Sequence, residues 1–492
     1  MALLNRFVYI FGGIIAACGF PPFFIFPCFL LAVGWLFYKI CETKTWNKKV
    51  AIDILLFWTA FFSINLYWLA IPLTFDIKQY WFLIPFALFA IPIVLSLYMI
   101  PAGYYAWKFR TNIIKSGVAF TIGNFLATIV YGKICPVFPW VLPGYIWNAF
   151  DSSMQVLSIW GIYGQTFITF VICSLFGISF AQYKRKKRYI SYLLMNFAII
   201  SSIFAFGYFR LNSNPTEFTN FKARIVKSNV AQEEKTSSAQ RYQLLKTYLG
   251  YCEHSGGDFD PRIVNYKDQG HLDFIIWPEA SVPYLFRDDF SQLIEKLSRP
   301  LLDGEILLTG VVRQDNDDKV FNSVVAIDKD KNIVAKYDKH HLVPFGEYIP
   351  FRQFIPSKFE AVANTIGDFD RGTTSNVIEL KGLKIIVSIC YEAVFSGEIV
   401  FDKEGDVIVN ITNDSWFGYS SALSQHLQIV RARAVEEGLP LIRATGFGIA
   451  AVFDAYGRTI IALDEHRSGV ADFYVPKKAQ KTLFSRINQI FK

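Results

Sequence analysis

Apolar residues fall along this chain in two regimes. Up to about residue 210 they run in long blocks; beyond it they come in short stretches divided by charged and turn-forming residues. A bilayer-spanning helix requires about 20 mostly apolar residues. The blocks Phe7–Gly19, Phe23–Ile40, Ile52–Leu73, Trp81–Trp107, Ile113–Tyr131, Trp160–Tyr183 and Ile190–Phe209 meet or approach that requirement. The pattern therefore predicts a polytopic α-helical membrane domain of about seven spans over residues 1–211. Pro21-Pro22 cannot continue a helix and marks a tight turn after the first block. Cys135–Phe150 is aromatic and proline-broken. Irregular backbone at membrane depth is tolerated only when buried in protein or lining a cavity, so this piece reads as a loop or re-entrant segment at the outer surface.

Basic residues orient the spans. Lys39, Lys44, Lys48 and Lys49 follow the second block, Lys108, Arg110 and Lys115 the fourth, and Lys184-Arg185-Lys186-Lys187-Arg188 the sixth. The alternate loops carry little beyond Lys78 and Lys133. The positive-inside rule then puts the N-terminus in the cytoplasm and residue 210 onward outside, which is the periplasm if the membrane is a bacterial inner membrane. The first block has no good small-residue cleavage site and leads into another apolar run, which argues against a signal peptide.

From Ala223 the period changes. Strands are predicted at Ala223–Asn229, Phe274–Trp277, Ile306–Val312, Ser323–Asp328, Ile333–Lys336, Val377–Leu380, Ile385–Ile389, Val407–Ile411, Pro440–Arg443 and Gly448–Phe453. Helices are predicted at Ser237–Glu253, Phe290–Leu297, Val394–Asp402 and Ala422–Glu437. Alternating strands and helices indicate an α/β domain over residues 222–475, long enough for one large core. Residues 212–221, opening with Asn212-Ser213-Asn214-Pro215, form the hinge. Residues 476–492 are a short basic tail, too charged to span and suited to the bilayer surface; no final span follows the α/β domain.

Composition sharpens this division. The 492 residues are 53% hydrophobic, more apolar than a soluble domain tolerates without large exposed patches. The net charge of +8 is concentrated in short loops of the membrane half, which topology explains without any nucleic-acid partner. Five cysteines lie in or beside apolar blocks, leaving Cys252 and Cys390 in the α/β half, where a disulfide between them stays open. None has the paired spacing of a zinc or redox site, and neither a metal nor another cofactor is expected.

Three stretches join a strand end to reactive residues. Trp277-Pro278-Glu279 puts a carboxylate just past a buried strand, where a dry cleft raises its pKa and makes it a usable base. Tyr337-Asp338-Lys339-His340-His341-Leu342-Val343-Pro344-Phe345-Gly346-Glu347 offers a lysine to stabilise an oxyanion. Its two adjacent histidines point to opposite sides of an extended chain and make a poor metal pair. Ile385–Ile389 delivers Cys390-Tyr391-Glu392. Taken singly, each has a plainer reading: a solvated glutamate, a surface lysine, a small buried thiol.

Together the order Glu279, Lys339, Cys390 at strand ends resembles the nitrilase superfamily over about residues 222–475. With the membrane half in front, the whole chain resembles that superfamily's membrane branch, the apolipoprotein N-acyltransferases. His341–Glu347 and Asn413-Asp414-Ser415-Trp416-Phe417-Gly418 are especially similar. The resemblance implies an αββα sandwich, with Glu279 as general base, Cys390 as nucleophile and Lys339 as oxyanion stabiliser. It also implies support from Glu347, Tyr391 and Glu392, one carboxylate orienting Lys339 or the amine, and an acyl pocket shaped by Trp416 and Phe417. The implied reaction is ping-pong: a phospholipid acylates the thiol, and the N-terminal amine of a diacylglyceryl-cysteine apolipoprotein takes the chain. The implied enzyme works as a monomer at the bilayer. A membrane-tethered amidase acting on a small amide is the alternative use of the same triad. Three departures stand out: Thr236 where the family tends to have a tryptophan, Gly446 where an asparagine is usual, and the missing last span.

Overall fold

The computed structural model describes residues 2–135, 137–230, 238–253, 263–266, 270–349, 368–401 and 404–490. Thr236 lies outside them. The chain forms two compact units: Met1–Pro215 with Ser420–Glu436 and Thr482–Lys492, and Thr216–Tyr419 with Glu437–Lys481.

The first unit is helical. Lys48–Thr74, Ile77–Lys108, Ile113–Ile134, Leu157–Lys184 and Ile190–Asn212 are five stretches long and apolar enough to cross a bilayer. The first two sequence blocks fold as Ala2–Ala17 and Phe26–Glu42, of 16 and 17 residues, so the expected count of seven spans is not confirmed. The turn around Pro21-Pro22 takes residues that longer helices would need. Asn47 and Asn112 cap the helices that follow them by accepting from Lys49 and Val50 and from Ile114 and Lys115. The Trp81–Trp107 block is not one regular helix: Pro85, Pro92 and Pro101 interrupt its ladder, giving 3-10, π and α segments in turn. Leu194, Phe197 and Phe209 are exposed, a surface that suits lipid rather than water.

The irregular segment expected at Cys135–Phe150 is buried over Pro143–Asn148. Gly144 N–H donates to Thr166 Oγ1 at 3.0 Å and Trp147 Nε1 to Thr169 Oγ1 at 2.9 Å, so neighbouring side chains satisfy these two donors.

The helix Ser421–Glu437, which the sequence pattern groups with the α/β half, belongs to this first unit as far as Glu436. Gln425 Oε1 accepts from Trp140 Nε1 at 2.8 Å and Trp68 Nε1 at 3.1 Å, while its Nε2 donates to the Asn65 carbonyl. Glu436 Oε1 accepts the Ile162 N–H at 2.7 Å, just where Gly161, at φ +64°, breaks the Leu157–Lys184 helix. The carboxylate caps the helix that resumes there. It also pairs with Arg433 at 3.0 Å, both side chains fully buried. The tail helix Leu483–Ile490 packs on Leu157–Lys184.

The second unit is built from fourteen strands among the described residues: β1 Phe218–Lys227, β2 Ile263–Tyr266, β3 Phe274–Ile276, β4 Val282–Phe286, β5 Ile306–Gln314, β6 Val320–Asp328, β7 Ile333–Asp338, β8 Val377–Leu380, β9 Leu383–Ile389, β10 Val407–Thr412, β11 Leu441–Thr445, β12 Ala450–Phe453, β13 Thr459–Leu463 and β14 Ser468–Pro476. One mixed sheet runs β2-β14-β1-β3-β5-β6-β7, with β4 beside β5; the other runs β13-β12-β11-β10-β9-β8. Inward residues of both sheets, among them Ile225, Leu308, Val387, Ile411 and Ile442, share one apolar core, which makes the pair a sandwich. The helices Ser238–Cys252 and Ser291–Ser298 cover the outer face of the first sheet through Leu244, Leu245, Ile294 and Leu297.

The ten expected strands are present, and four more, β2, β4, β13 and β14, escape the pattern. Strand β14 carries the charged Asp472, yet it lies inside the sheet. There Asp472 takes a bidentate ion pair from buried Arg224, at 2.6 and 2.8 Å, on the neighbouring β1. The helix expected at Val394–Asp402 is not formed over the described residues. A 3-10 turn, Cys390–Val394, gives way to bends around Gly397, whose φ of +80° ends helical winding. All seven cysteines are free thiols, so Cys252 and Cys390 are not bridged.

Replacing Glu436 by Ala deprives a buried guanidinium of its carboxylate partner and a helix of its cap. Loss of one member of a buried pair costs roughly 3–5 kcal/mol. The thermal midpoint of the Glu436→Ala protein in detergent should fall by several degrees; an unchanged midpoint would contradict a structural role for the pair.

Candidate active site

The ends of β3, β7 and β9 bring Glu279, Lys339 and Cys390 together. The turn after β3 is held flat against β5: Trp277 N–H donates to the Leu308 carbonyl, Gly310 N–H to Pro278, and Ser281 N–H to Gly310. A Cβ at Gly310 would lie 2.6 Å from the Glu279 Cα, so only glycine permits this approach. Glu279 is buried, and its two oxygens accept from Asn322 Nδ2 at 2.7 Å and from Asn413 N–H at 2.9 Å.

Lys339 follows β7 directly and is fully buried. Its neighbour Asp338 is fixed by Arg313, at 3.1 and 2.7 Å, and by the Ser323 hydroxyl. The Lys339 backbone donates to Asn322 and accepts from Gly372. Its Nζ stands 2.9 Å from Glu347 Oε1 and 3.8 Å from Glu279 Oε1. Burial alone would pull the ammonium pKa down, but the carboxylates of Glu347 and then Glu279 outweigh it and hold the group above its ordinary value. The lysine therefore stays charged. Of the two supporting carboxylates, Glu347 is the one that touches Lys339.

Glu392 does something else. One of its oxygens accepts from the Tyr337 hydroxyl at 2.7 Å and from the His340 and His341 N–H groups at 2.7 and 3.2 Å; the other accepts from Ile389 N–H at 2.7 Å. One carboxylate thus staples the backbone after Lys339 to the backbone before Cys390. Burial nevertheless pushes its carboxyl pKa up, against these hydrogen bonds.

Cys390 is half-buried at the end of β9, with φ +49°, a left-handed conformation uncommon outside glycine. Burial raises its thiol pKa, Glu279 raises it further, and Lys339 opposes the rise. Burial likewise pushes the Glu279 carboxyl up, with Lys339 pulling it back. Tyr391 is buried beside Phe395, ring centroids 5.2 Å apart. Trp416 and Phe417 lie on the 3-10 turn Asp414–Phe417, Trp416 exposed and Phe417 half-buried. No hydrogen bond joins their side chains to the three central groups among the described residues.

Two participants escape the sequence pattern. Asn322 Nδ2 donates at 2.7 Å to both Glu279 and Glu347, using both hydrogens to tie the carboxylates that flank Lys339. The signal was a lone amide inside the apolar strand β6. Arg443 is wholly buried and donates to Asn410 Oδ1 and Asp414 Oδ2 at 2.7 and 2.5 Å, fixing the turn whose Asn413 N–H reaches Glu279. A Cβ at Gly446 would meet the Tyr248 hydroxyl at 3.5 Å and Asn413 Oδ1 at 3.6 Å, ordinary contacts that leave the site undisturbed. Among the described residues no three His, Cys, Asp or Glu side chains are arranged to hold a metal. Chemically the site holds a buried carboxylate, a fixed cation and a thiol, an arrangement fit for acyl transfer through a covalent intermediate.

Residues 235–479 match the family model described as Carbon-nitrogen hydrolase, and residues 12–175 match the Apolipoprotein N-acyltransferase N-terminal domain. Curated relatives span nearly the whole chain. The apolipoprotein N-acyltransferase of Rickettsia bellii is 31% identical over 97% of this chain and 93% of its own. That of Rickettsia typhi is 32% identical over 96% and 92%. That of Rhodopseudomonas palustris is 29% identical over 97% and 91%.

The electrostatics make opposite predictions for two variants. At a fixed pH near 8, Lys339→Met should slow alkylation of Cys390 by iodoacetamide, since the thiol loses the cation that favours its thiolate. Glu279→Gln should leave alkylation unchanged or faster, because a carboxylate that raises the thiol pKa is gone. Peptide mass spectrometry at Cys390 reads both rates; a Glu279→Gln protein alkylated as slowly as Lys339→Met would refute this account of the site's field.

Proposed function

The chain belongs to the apolipoprotein N-acyltransferase family, and on that footing we propose that it N-acylates lipoproteins at a membrane by passing a phospholipid acyl chain through a thioester on Cys390. The observation supporting this route is a fully buried ammonium, Lys339, set 3.8 Å from Glu279 within the electrostatic surroundings of the Cys390 thiol. Glu279, its pKa raised by burial, takes the thiol proton. The thiolate attacks the ester carbonyl, and the oxyanion is stabilised by Lys339 and a backbone N–H near Tyr391. As the tetrahedral intermediate collapses, Glu279 returns the proton to the departing lysophospholipid oxygen, leaving the acyl group on sulfur.

The N-terminal amine of a diacylglyceryl-cysteine apolipoprotein then attacks the thioester. Glu279 accepts the amine's proton, the carbon–sulfur bond breaks, and the amide is formed. A thioester suits the exchange, because it reacts readily with amines. Glu347 holds Lys339 in place, Glu392 fixes both backbones, and Trp416 and Phe417 offer apolar surface to the chain. We assign the enzyme to the bacterial inner membrane, with its N-terminus cytoplasmic and residues 222–475 periplasmic, acting as a monomer. The charge asymmetry of the loops supports that orientation.

Incubation of the purified protein with phospholipid and no acceptor should add one acyl mass to the Cys390 peptide. The adduct should be absent from Cys390→Ala and reduced at least about 100-fold in rate in Glu279→Gln, within the usual scale for removal of a general base. No adduct on the unaltered protein, with ammonia released from small amides, would favour the amidase alternative and overturn this reading. The loss of transfer in Glu279→Gln should coincide with its undiminished alkylation, separating proton transfer from the field effect.

A further inference from the structure

We propose that the recess at the turn between the helices Leu157–Lys184 and Ile190–Asn212 binds the headgroup of an anionic phospholipid, its phosphate on the basic side chains. The recess has a volume of about 600 Å³ and is lined by Gln182, Lys186, Lys187, Arg188, Ser191 and Tyr192. Three cations and two hydroxyls face it, and no carboxylate lines it. The neighbouring Arg185 pairs with Glu42 at 3.6 Å, whereas Lys186, Lys187 and Arg188 form no ion pair among the described residues. Three adjacent like charges repel one another, and an anion bound among them relieves that repulsion.

The turn is built to present these groups. Lys187 N–H donates to the Gln182 carbonyl and Lys186 N–H to Tyr183, the double closure of a left-handed helix cap. Glycine is favoured at its left-handed position, yet Lys186 occupies it with φ +54°. The Tyr183 and Tyr189 rings brace the turn, edge to face at 5.1 Å. The next helix starts without a side-chain cap. Gln182 Oε1 is buried without a partner and can accept from a headgroup hydroxyl, which favours a phosphoglycerol over a bare phosphate.

A lipid fits better than a soluble phosphoester because the recess adjoins apolar helix surface. Tyr183, Ile190, Leu194 and Phe197 are exposed there and give acyl chains a wall to lie along. Basic pockets between spanning helices are suited to anionic headgroups in this way. The proposal rests on the membrane reading of the first unit and not on the acyl-transfer reading of the second, so either can fail without the other.

The test uses the full chain in detergent micelles doped with equal amounts of phosphatidylglycerol and phosphatidylcholine, with co-purified lipid measured by mass spectrometry. The unaltered protein should enrich phosphatidylglycerol at least about fivefold, a conservative figure for three basic side chains. The triple variant Lys186→Gln, Lys187→Gln, Arg188→Gln should lose the enrichment. A charge-matched control, Lys44→Gln, Lys48→Gln, Lys49→Gln, should keep it. Equal loss in both variants, or no enrichment in the unaltered protein, would overturn the site, leaving only general charge. Millimolar glycerol 3-phosphate should not displace the lipid; displacement would overturn the assignment of a lipid ligand. If the triple variant fails to fold, Lys187→Gln and Arg188→Gln singly, together with release at high salt, decide the question by the same criterion.

Discussion

A lysine removed from water keeps its charge only if carboxylates replace the solvation it has lost. Lys339 meets that condition with Glu347 at 2.9 Å and Glu279 at 3.8 Å, and much of the second unit maintains those two distances. Asn322 ties the carboxylates to each other, Asn413 holds the far oxygen of Glu279, and Val343 N–H holds the far oxygen of Glu347. The same charge sets the balance on its neighbours. It lowers the cost of a thiolate at Cys390 and keeps Glu279 from being raised further, so the carboxyl and the thiol are tuned by one cation.

Precision in this centre comes from backbone fixed by buried charge. Glu392 binds the chain on both sides of the gap between Lys339 and Cys390. Arg313 with Asp338, and Arg443 with Asp414, pin the turns next to Lys339 and Asn413. Each pair is largely desolvated and is joined by a further hydrogen bond, from Ser323 to Asp338 and from Arg443 to Asn410, which helps buried ions to be tolerated. Glycine matters at two places for a different reason. Gly310 and Gly372 let strand and loop pass within contact of Glu279 and Asp338, where any Cβ would collide with backbone.

The first unit solves a related problem in an apolar setting. In its irregular segment around Pro143–Ala149 two donors meet threonine hydroxyls, and the break at Gly161 is capped by Glu436 from a distant part of the sequence. The chain leaves the second unit after Tyr419 and rejoins it at Glu437, giving the helix between them to the first unit. That helix carries Gln425, Arg433 and Glu436, polar groups that would look wasted on a helix covering an apolar sheet.

Periodicity alone divided the chain near residue 212, identified ten strands and brought Glu279, Lys339 and Cys390 to strand ends, because strand alternation and span length are local properties. The family resemblance rested on the same local residues. What the sequence could not supply depends on partners remote along the chain. Strand β14 was not among the predicted strands, and its Asp472 finds its partner in Arg224 of β1; Asn322 was not singled out, and its two carboxylate partners lie at Glu279 and Glu347. Glu347 and Glu392 were equivalent candidates to hold Lys339 until distance separated them, one touching the ammonium and the other the backbone. Five of the seven apolar blocks form helices long enough to cross a bilayer, and the first two form helices of 16 and 17 residues, because tertiary turns set where each helix stops. Local pattern determines which groups are available; only three-dimensional packing decides which of them share a charge, since hydrogen bonds and ion pairs act over a few ångströms and ignore sequence separation.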